Sequence, residues 1–202
     1  DFSEAGFAGP TTALQIADEL AALRGSGKPI IAFSRSLSSG SYLMAAQADE
    51  VFVHPAGAVS ISGLGGYRDY TRDLTDKLRI NIHNYSQGQY KSATEGLTRD
   101  SMSEADREQR EALLMPIWGE MKARMAKARG IDPDVIQTLA DDFSVPLLGE
   151  AGYHNLAMAE ELGLIDGTFD FPAYREYMME RFGTITNDGR DTYPHISADE
   201  YM

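Results

Sequence analysis

A short apolar run followed by a cluster of serine and glycine constrains the fold of this chain most. Residues 30–33 are all apolar, as in a strand that is buried on both faces. The Ser/Gly cluster at residues 34–41 leads into a predicted helix at residues 42–48, and residues 50–53 are predicted to form another short strand. Strand, glycine turn, helix and strand at this spacing predict βαβ units in a parallel sheet, and hence an α/β fold with flanking helices.

The flanking helices are predicted from apolar residues at helical spacing. Thr11 or Thr12 can cap a first helix, which Gly25 would end. A capping box that begins at Ser103 precedes a long amphipathic helix, and Pro116 should kink this helix or split it near its first turns. Its apolar stripe consists of Leu114, Trp118, Met121 and Met125. Further helices are predicted around residues 67–78, 133–141, 151–162 and 171–182.

Two further segments bear on the domain organisation. Residues 80–85 alternate apolar and polar positions with period two, which predicts a strand. Residues 184–202 are polar, with a turn at Asn187-Asp188-Gly189, and are predicted to be a linker. The sequence therefore predicts one domain over residues 1–183, followed by that linker.

Composition excludes several classes of function. The 31 acidic and 18 basic residues give a formal net charge of -13, which disfavours nucleic acids and anionic lipid surfaces because phosphate contacts need clustered cations. The absence of cysteine excludes disulfides, thiolate zinc sites and a cysteine nucleophile. No apolar run approaches the ~18 residues of a membrane span. The chain begins at Asp1 rather than Met, so we expect a fragment whose membrane anchor, if any, lies outside these residues.

The Ser/Gly cluster is the first candidate for chemistry. Ser38-Ser39-Gly40-Ser41 follows a predicted strand, and ligands bind at the carboxyl ends of strands in α/β sheets. A serine hydroxyl there lies near a helix N-terminus, and Gly40 lets backbone N–H groups approach a ligand and hold an oxyanion. Serine and glycine are also ordinary loop and N-cap residues, so a purely structural role stays open.

A serine nucleophile requires a base, and the histidines are poor candidates. None of His54, His83, His154 and His195 stands in a recognisable arrangement with a carboxylate, and no grouping predicts a metal site. A lysine can serve instead if burial lowers its pKa from ~10.4 by ~3, which corresponds to roughly 4 kcal/mol. Lys91 follows a glycine-bearing turn after a predicted strand and precedes two small residues, although its position alone is also typical of a surface lysine.

Six motifs occur in order along the chain. They are Gly27-Lys28-Pro29, Ser39-Gly40-Ser41-Tyr42, Ala48-Asp49, His54-Pro55, Gly88-Gln89-Tyr90-Lys91-Ser92-Ala93 and Arg99-Asp100-Ser101-Met102-Ser103. In this order and at this spacing they resemble the motifs of the signal peptide peptidase A (protease IV) family of serine/lysine peptidases. The resemblance runs from about residue 3 to the tail, so it is more specific than any single motif.

The resemblance implies a fold related to crotonase and Clp protease, and a serine/lysine-dyad endopeptidase that degrades cleaved signal peptides without metal or cofactor. Lys91 falls on the position of the general base and Ser39 on that of the nucleophile, while Gly40 and Gly63 fall on turns that would bind the oxyanion or substrate. It further implies peptide substrates, a ring-like homo-oligomer, and a location at the bacterial inner membrane with the catalytic domain facing the periplasm.

Two departures from the family pattern bear on where the nucleophile lies. The family's long members have two repeats, of which the first donates the lysine and the second the serine, whereas short members carry both in one repeat. The family's Gly-Ser-x-Gly stretch, whose serine binds the lysine in complete sites, reads Ser60-Ile61-Ser62-Gly63 here, and isoleucine cannot make that bond. Ser-Gly-Gly-Tyr reads Ser39-Gly40-Ser41-Tyr42, and residues 194–201 resemble the linker after a first repeat. We therefore favour a lysine-donating first repeat, with Ser39 as the alternative nucleophile.

Two rival functions remain open. One is a crotonase-type acyl-CoA hydratase or isomerase on the same architecture, which would need a nucleotide-binding patch and acidic catalytic residues at the glycine turns. The other is a non-catalytic scaffold repeat, in which the Ser/Gly cluster only caps a helix and Lys91 is an exposed bystander.

Overall fold

The computed structural model describes residues 9–141, 155–187 and 189–196. The chain forms two compact units. The first, which we call the α/β unit, comprises Asp1–Ser62 and Arg124–Met202, and the second, which we call the lysine unit because it contains Lys91, comprises Gly63–Ala123. The long helix α5 (Glu104–Arg129) contributes residues to both.

A parallel sheet lies at the centre of the α/β unit. Its strands are β1 (Ile31–Ser34), β3 (Glu50–Val53) and β5 (Gly167–Thr168), in the order β1-β3-β5. Helix α2 (Ser39–Ala45) follows β1 and precedes β3, so the predicted βαβ unit is confirmed. Every residue of α2 is buried, as are most residues of the two longer strands, which explains why these segments are apolar without alternation.

Two short strands form a second, separate parallel pair. Residues of β2 (Leu37–Ser38) pair in parallel with those of β4 (Val59–Ser60). Because β2 ends where α2 begins, this pairing brings the segment after β4 to the N-terminus of α2.

Helices complete the α/β unit. Helix α1 is Pro10–Arg24, α6 is Pro133–Asp141, α7 is Asn155–Glu161 and α8 is Phe171–Phe182. These bounds confirm the helices predicted at the N-terminus, at residues 133–141 and at 171–182, while part of the one predicted at 151–162 falls outside the described residues. The mixed architecture of helices and parallel strands confirms the predicted α/β class.

Aromatic side chains join α8 to the sheet. The ring of Phe33 on β1 stacks on that of Tyr174 with a centroid distance of 4.3 Å, and Phe52 on β3 meets Tyr177 edge-on at 5.3 Å. Tyr177 also donates a hydrogen bond to the Glu50 carboxylate at the start of β3. Phe33 and Phe52 are buried, and full burial of such a side chain stabilises a fold by roughly 2 kcal/mol, whereas Tyr174 and Tyr177 are half-buried and cover these rings from α8.

The first helix shows how proline can override a capping prediction. Gly9 occupies the N-cap without a side-chain hydrogen bond, and Pro10 is the first helical residue. Thr11 and Thr12 therefore lie inside the helix, and the predicted threonine cap is wrong because proline at the first position needs no N–H partner. The helix ends before Gly25, as predicted.

The lysine unit is mostly short helices and loops. Its elements are α3 (Arg72–Lys77), α4 (Glu95–Thr98) and the first part of α5. The predicted capping box is confirmed in part, because the Asp106 N–H donates a 3.0 Å hydrogen bond to the Ser103 hydroxyl. Helix α5 runs undivided through Pro116, so the predicted split does not occur. Trp118, Met121 and Met125 of the predicted stripe are buried.

Three other predictions differ from the structure. Residues 80–85 form no strand, because no described segment pairs with them in a sheet, and their apolar side chains are exposed. The helix predicted at 67–78 is limited to α3. The tail predicted to be a linker contains an antiparallel hairpin of β6 (Ile185–Asn187) and β7 (Arg190–Thr192), and its link to a second repeat stays a prediction. None of the described helices combines the length and the apolar character that a membrane span requires.

Candidate active site

Reciprocal hydrogen bonds fix the start of α2. The Ser38 N–H donates to the Ser41 hydroxyl at 2.8 Å, and the Ser41 N–H donates to the Ser38 hydroxyl at 3.5 Å. Ser38 is the N-cap and Ser41 the third helical residue, so the two form a capping box. Ser41, which departs from the Ser-Gly-Gly-Tyr motif, therefore has a structural task that glycine could not perform.

Ser39 lies directly inside this cap. Its side chain is buried, with 8% of the residue exposed, and its hydroxyl oxygen accepts a 3.0 Å hydrogen bond from the Ser62 N–H. Gly40 beside it is also buried. The structure thus brings together the Ser/Gly cluster and the Ser60-Ile61-Ser62-Gly63 stretch, both of which were singled out from sequence. Because a hydroxyl can accept and donate at once, the Ser39 proton remains available to a base.

The turn before β4 depends on a close backbone approach. The Leu37 N–H donates to the Ala58 carbonyl at 2.9 Å, and the Ala58 N–H donates to the Ser36 hydroxyl at 3.1 Å. A Cβ on Gly57 would lie 1.6 Å from the Arg35 carbonyl oxygen. Only glycine permits this approach, so Gly57 helps to place the Ser62 segment at α2.

Tyr42 is a buried donor in the same motif. Its hydroxyl donates a 2.9 Å hydrogen bond to the Leu164 carbonyl, from the segment that precedes β5. Burial raises the pKa of Tyr42 well above its usual range, and the nearby charges of Arg129 and Asp166 act in opposite directions. The phenol therefore stays protonated and ties α2 to the far end of the chain, a contact that local sequence patterns could not reveal.

Lys91 lies in a tight turn of the lysine unit. Its N–H donates to the Gly88 carbonyl at 3.3 Å, and Gly88 has φ 100°, a conformation that favours glycine. The Lys91 side chain is exposed. The burial that we expected for a neutral lysine is therefore not provided by the described residues of this chain.

The main chain after Lys91 is held firmly. Arg68 donates from one guanidinium nitrogen to the Ser92 carbonyl at 2.8 Å and to the Ala93 carbonyl at 2.9 Å. The Glu95 carboxylate is buried and accepts the Ser103 N–H at 3.1 Å, at the start of α5. The turn that bears Lys91 is thus anchored although the lysine itself is not.

A buried carboxylate lies behind this turn. Asp106 has a side chain that is 3% exposed, and its Oδ2 atom binds both Arg110 at 3.0 Å and Arg68 at 3.5 Å. The Ser92 hydroxyl, which also donates to it, and then the two arginines lower the pKa of Asp106, while burial acts to raise it. The carboxylate is therefore charged and paired, and it binds the residue next to Lys91.

The remaining predicted residues contribute little to a site. His54 accepts the Ala56 N–H at its Nδ1 atom, while His83 and His195 are exposed, and none of the three has a carboxylate partner among the described residues. His154 lies outside the described residues. Gly63 has φ 70°, which favours glycine, at the boundary of the two units. Within the described ranges no group of three acidic, histidine or cysteine side chains could hold a metal ion.

The site residues divide between the two units. Ser39 and Gly40 belong to the α/β unit, whereas Lys91 belongs to the lysine unit. The sequence named these three residues and the motif that contains Tyr42. It gave no site role to Arg68, to Asp106 or to the Tyr42 hydroxyl, because their partners are distant in the chain.

Comparisons with known proteins place these features in context. The model of peptidase family S49 matches residues 22–177. The chain is 32% identical over 139 residues to Protease 4 of Haemophilus influenzae. The aligned part is 69% of this chain and 22% of that protein. It is 34% identical over 118 residues to Protease 4 of Salmonella typhi. Here the aligned part is 58% of this chain and 19% of that protein. The chain thus spans about a fifth of the length of these relatives.

Proposed function

The chain belongs to peptidase family S49, as the motif resemblance predicted, and from this premise we propose that it is part of a serine/lysine-dyad endopeptidase that degrades cleaved signal peptides. Lys91 is the general base, and a serine of a second repeat is the nucleophile. Gly40, in the first turn of α2, and Gly63, after β4, help to bind the oxyanion or the substrate. The sheet order β1-β3-β5 with its βαβ unit supports a fold of the crotonase and Clp protease type.

The mechanism needs only side chains and backbone groups. The neutral amine of Lys91 takes the proton of the serine hydroxyl as the serine oxygen attacks the scissile carbonyl. Backbone N–H groups around the nucleophile stabilise the resulting oxyanion. The protonated amine then returns its proton to the leaving amine, and water hydrolyses the acyl-enzyme by the same route.

The observation that carries this proposal is the contrast between the Lys91 main chain and its side chain. The turn is tied to Arg68 and Gly88, yet the Lys91 side chain is exposed. An anchored turn with an exposed lysine suits an amine that is completed by another segment, since burial by that segment would favour the neutral form. We propose that this segment belongs to a second repeat or a second copy in a homo-oligomer.

The surface of the lysine unit supports such an association. Many of its large apolar side chains are exposed, which is a feature of surfaces that bind other proteins. These side chains are Tyr67, Leu74, Leu78, Ile80, Ile82, Tyr85, Tyr90, Leu97, Leu113 and Met115. Hydrophobic signal-peptide remnants are the substrates that an apolar enclosure of this kind would suit.

Ile61 supports a nucleophile outside this chain. It occupies the position where complete sites of the family have a serine that binds the lysine, and its side chain is buried. Its apolar side chain therefore serves packing and offers no hydroxyl to an amine. Ser39 is the alternative nucleophile, in the arrangement of the short family members. We also propose, as the motif resemblance implies, a location at the bacterial inner membrane with the catalytic domain facing the periplasm.

One observation favours a second candidate, a non-catalytic scaffold repeat. Ser39 and Ser41 both have structural partners at the α2 cap, and Lys91 is exposed. In that case the cluster would only build the helix start, and the lysine would have no catalytic task.

Substitution of Lys91 in the full-length protein separates the two candidates. Lys91→Ala should lower peptide hydrolysis about 10²- to 10⁴-fold, the range that general acid–base catalysis contributes. Lys77→Ala, at another exposed lysine of the same unit, is the matched control and should hydrolyse normally. Equal activity of the two variants would reject the lysine base and favour the scaffold.

A further inference from the structure

We propose that Arg68 and Asp106 are positioning residues, which clamp the two residues after Lys91 and thereby aim its amine. This inference rests on the proposed function of Lys91 as the base. It names a determinant of that site that lies outside the recognised motifs and outside the Ser/Gly cluster.

Arg68 restrains the main chain in two successive peptide groups. A single guanidinium nitrogen binds the carbonyl oxygens of Ser92 and Ala93, at 2.8 and 2.9 Å. The Ser92 carbonyl also accepts the Glu95 N–H at 3.0 Å, so both of its lone pairs are used. Two fixed carbonyls in succession set the orientation of the peptide planes that follow Ser92 and Ala93, and hence the direction of the chain just after Lys91.

Asp106 adds a side-chain restraint to the same turn. Its buried carboxylate accepts the Ser92 hydroxyl and pairs with Arg68, which it thereby orients toward the two carbonyls. Arg110 supplies a second positive charge from the same helix, and among the described residues it forms no hydrogen bond with the turn. Because the carboxylate lies on α5, the clamp ties the turn to a 26-residue helix rather than to another loop.

The Lys91 side chain is flexible, so a restraint on the main chain helps to position its amine. Four methylene groups let the amine explore a wide volume, and a mobile main chain would widen it further. With the Ser92 carbonyl held on one side and the Lys91 N–H bound to Gly88 on the other, the main chain at Lys91 is restrained more than its side-chain torsions are. A base misplaced by about 1 Å can lose about 10²-fold in rate, so such restraint has catalytic value.

A purely structural role is the competing explanation. Burial of a charged pair is costly unless each group is well satisfied, and replacing such pairs by apolar residues is often neutral or stabilising. Here Arg68, with 23% of its side chain exposed, and Asp106 both direct bonds to the residues that follow Lys91. Stability alone gives no reason for the network to converge on this turn.

Peptide hydrolysis by the full-length protein tests the clamp. Arg68→Gln should lower kcat roughly 10- to 100-fold with KM nearly unchanged, because the amine is misplaced rather than removed. Arg110→Gln is the matched control, since it removes the other arginine from Asp106 without touching the turn, and its kcat should stay near that of the wild type. Equal kcat values for the two arginine variants would overturn the clamp.

Two substitutions of Ser92, to alanine and to threonine, test the clamp independently if Arg68→Gln folds poorly. Ser92→Ala removes the hydroxyl bound to Asp106 and should lower kcat, whereas Ser92→Thr keeps a hydroxyl and should restore most of it. Amide hydrogen exchange gives a readout without catalysis, in which residues 91–93 should exchange faster in Arg68→Gln and Ser92→Ala than in Arg110→Gln. A Ser92→Ala variant with wild-type kcat and wild-type exchange would overturn the proposal.

Rejection of Lys91 as the base and rejection of the clamp give different patterns of activity among the variants. If Lys91→Ala hydrolyses peptide normally, the lysine base is rejected and the catalytic role of the clamp is rejected with it. If Lys91→Ala is inactive while Arg68→Gln and Ser92→Ala keep wild-type kcat, the base stands and only the clamp is rejected.

Discussion

The Ser62 N–H donates a 3.0 Å hydrogen bond to the hydroxyl oxygen of Ser39. This bond joins the segment after β4 to the first residue of α2, next to the cap that Ser38 and Ser41 form. The Ser39 hydroxyl therefore has a structural partner whether or not it attacks a substrate. A serine at this position is thus explained even if the nucleophile comes from elsewhere.

Substitution of Ser39 should affect stability more than hydrolysis. Ser39→Ala removes the acceptor of a partly buried N–H, so the free energy of unfolding should fall by about 1 to 2 kcal/mol. Hydrolysis by the full-length protein should remain close to that of the wild type. Denaturant unfolding and a peptide assay on the same sample measure both effects.

Ser62→Ala is the control for this prediction. It keeps the backbone N–H that binds Ser39 and changes only an exposed side chain, so the free energy of unfolding should hardly change. A large loss of hydrolysis in Ser39→Ala alone would instead place the nucleophile in this chain.

Asp106 should make stability depend on pH. Its pKa is lowered in the folded state, chiefly by the Ser92 hydroxyl and then by Arg110 and Arg68. The carboxylate therefore stabilises the fold above its unfolded pKa of ~3.9, and this contribution is lost as the pH falls through the lower folded value. At about pH 7 the wild type should be more stable than Asp106→Asn by about 2 kcal/mol, and the gap should narrow in acid.

Urea unfolding at neutral and acidic pH checks this prediction. The Asn variant keeps the shape of the side chain but loses its charge, so it isolates the electrostatic part of the network. A gap between the two proteins that stays constant from about pH 7 to about pH 3 would contradict it.

Gly57→Ala should destabilise the turn before β4. The added methyl group would lie 1.6 Å from the Arg35 carbonyl oxygen, and backbone must move to relieve the clash. We expect a loss of about 1 to 3 kcal/mol, typical of overpacking. Gly65→Ala is the control because nothing lies within 4 Å of its new methyl group. Thermal unfolding of both variants provides the measurement, and equal midpoints would show that the turn adapts freely.

Tyr42→Phe should weaken the link between α2 and the segment before β5. It leaves the buried Leu164 carbonyl without its 2.9 Å partner, so the free energy of unfolding should fall by about 1 to 3 kcal/mol. Tyr85→Phe, at an exposed tyrosine, should leave it nearly unchanged. Chemical denaturation compares the two, and a stable Tyr42→Phe variant would mean that the carbonyl finds another donor.

The centre of the fold could be predicted from the sequence because the residues that define its elements are close together in the chain. The buried strands, the glycine turn and α2 follow one another within a short stretch, and the Ser103 cap is set by two residues three positions apart. The strand predicted at residues 80–85 was wrong for the opposite reason. Alternation describes a single strand, but a strand forms only when a neighbouring strand pairs with it. Among the described residues that partner is absent.

The candidate site shows the same division. Lys91, Ser39, Gly40 and Gly63 were named from motifs, which are short and contiguous. Arg68 binds residues 24 and 25 positions later, so no motif contains the pair. Asp106 was interpreted only as part of a helix start, because a sequence pattern cannot tell a solvated acid from a buried one.

The sheet order β1-β3-β5 also bears on how the chain folds. Strands β1 and β3 are separated only by β2, α2 and short turns, so their pairing closes a small loop and we expect it to form early. Strand β5 joins β3 much later in the chain, near a bond that links residues 115 positions apart, so we expect it to dock last. Until then the open edge of β3 can pair with other chains, and aggregation should be greatest during this interval. Pulse-labelled hydrogen exchange during refolding should show protection of β3 amides that bond to β1 before those that bond near β5.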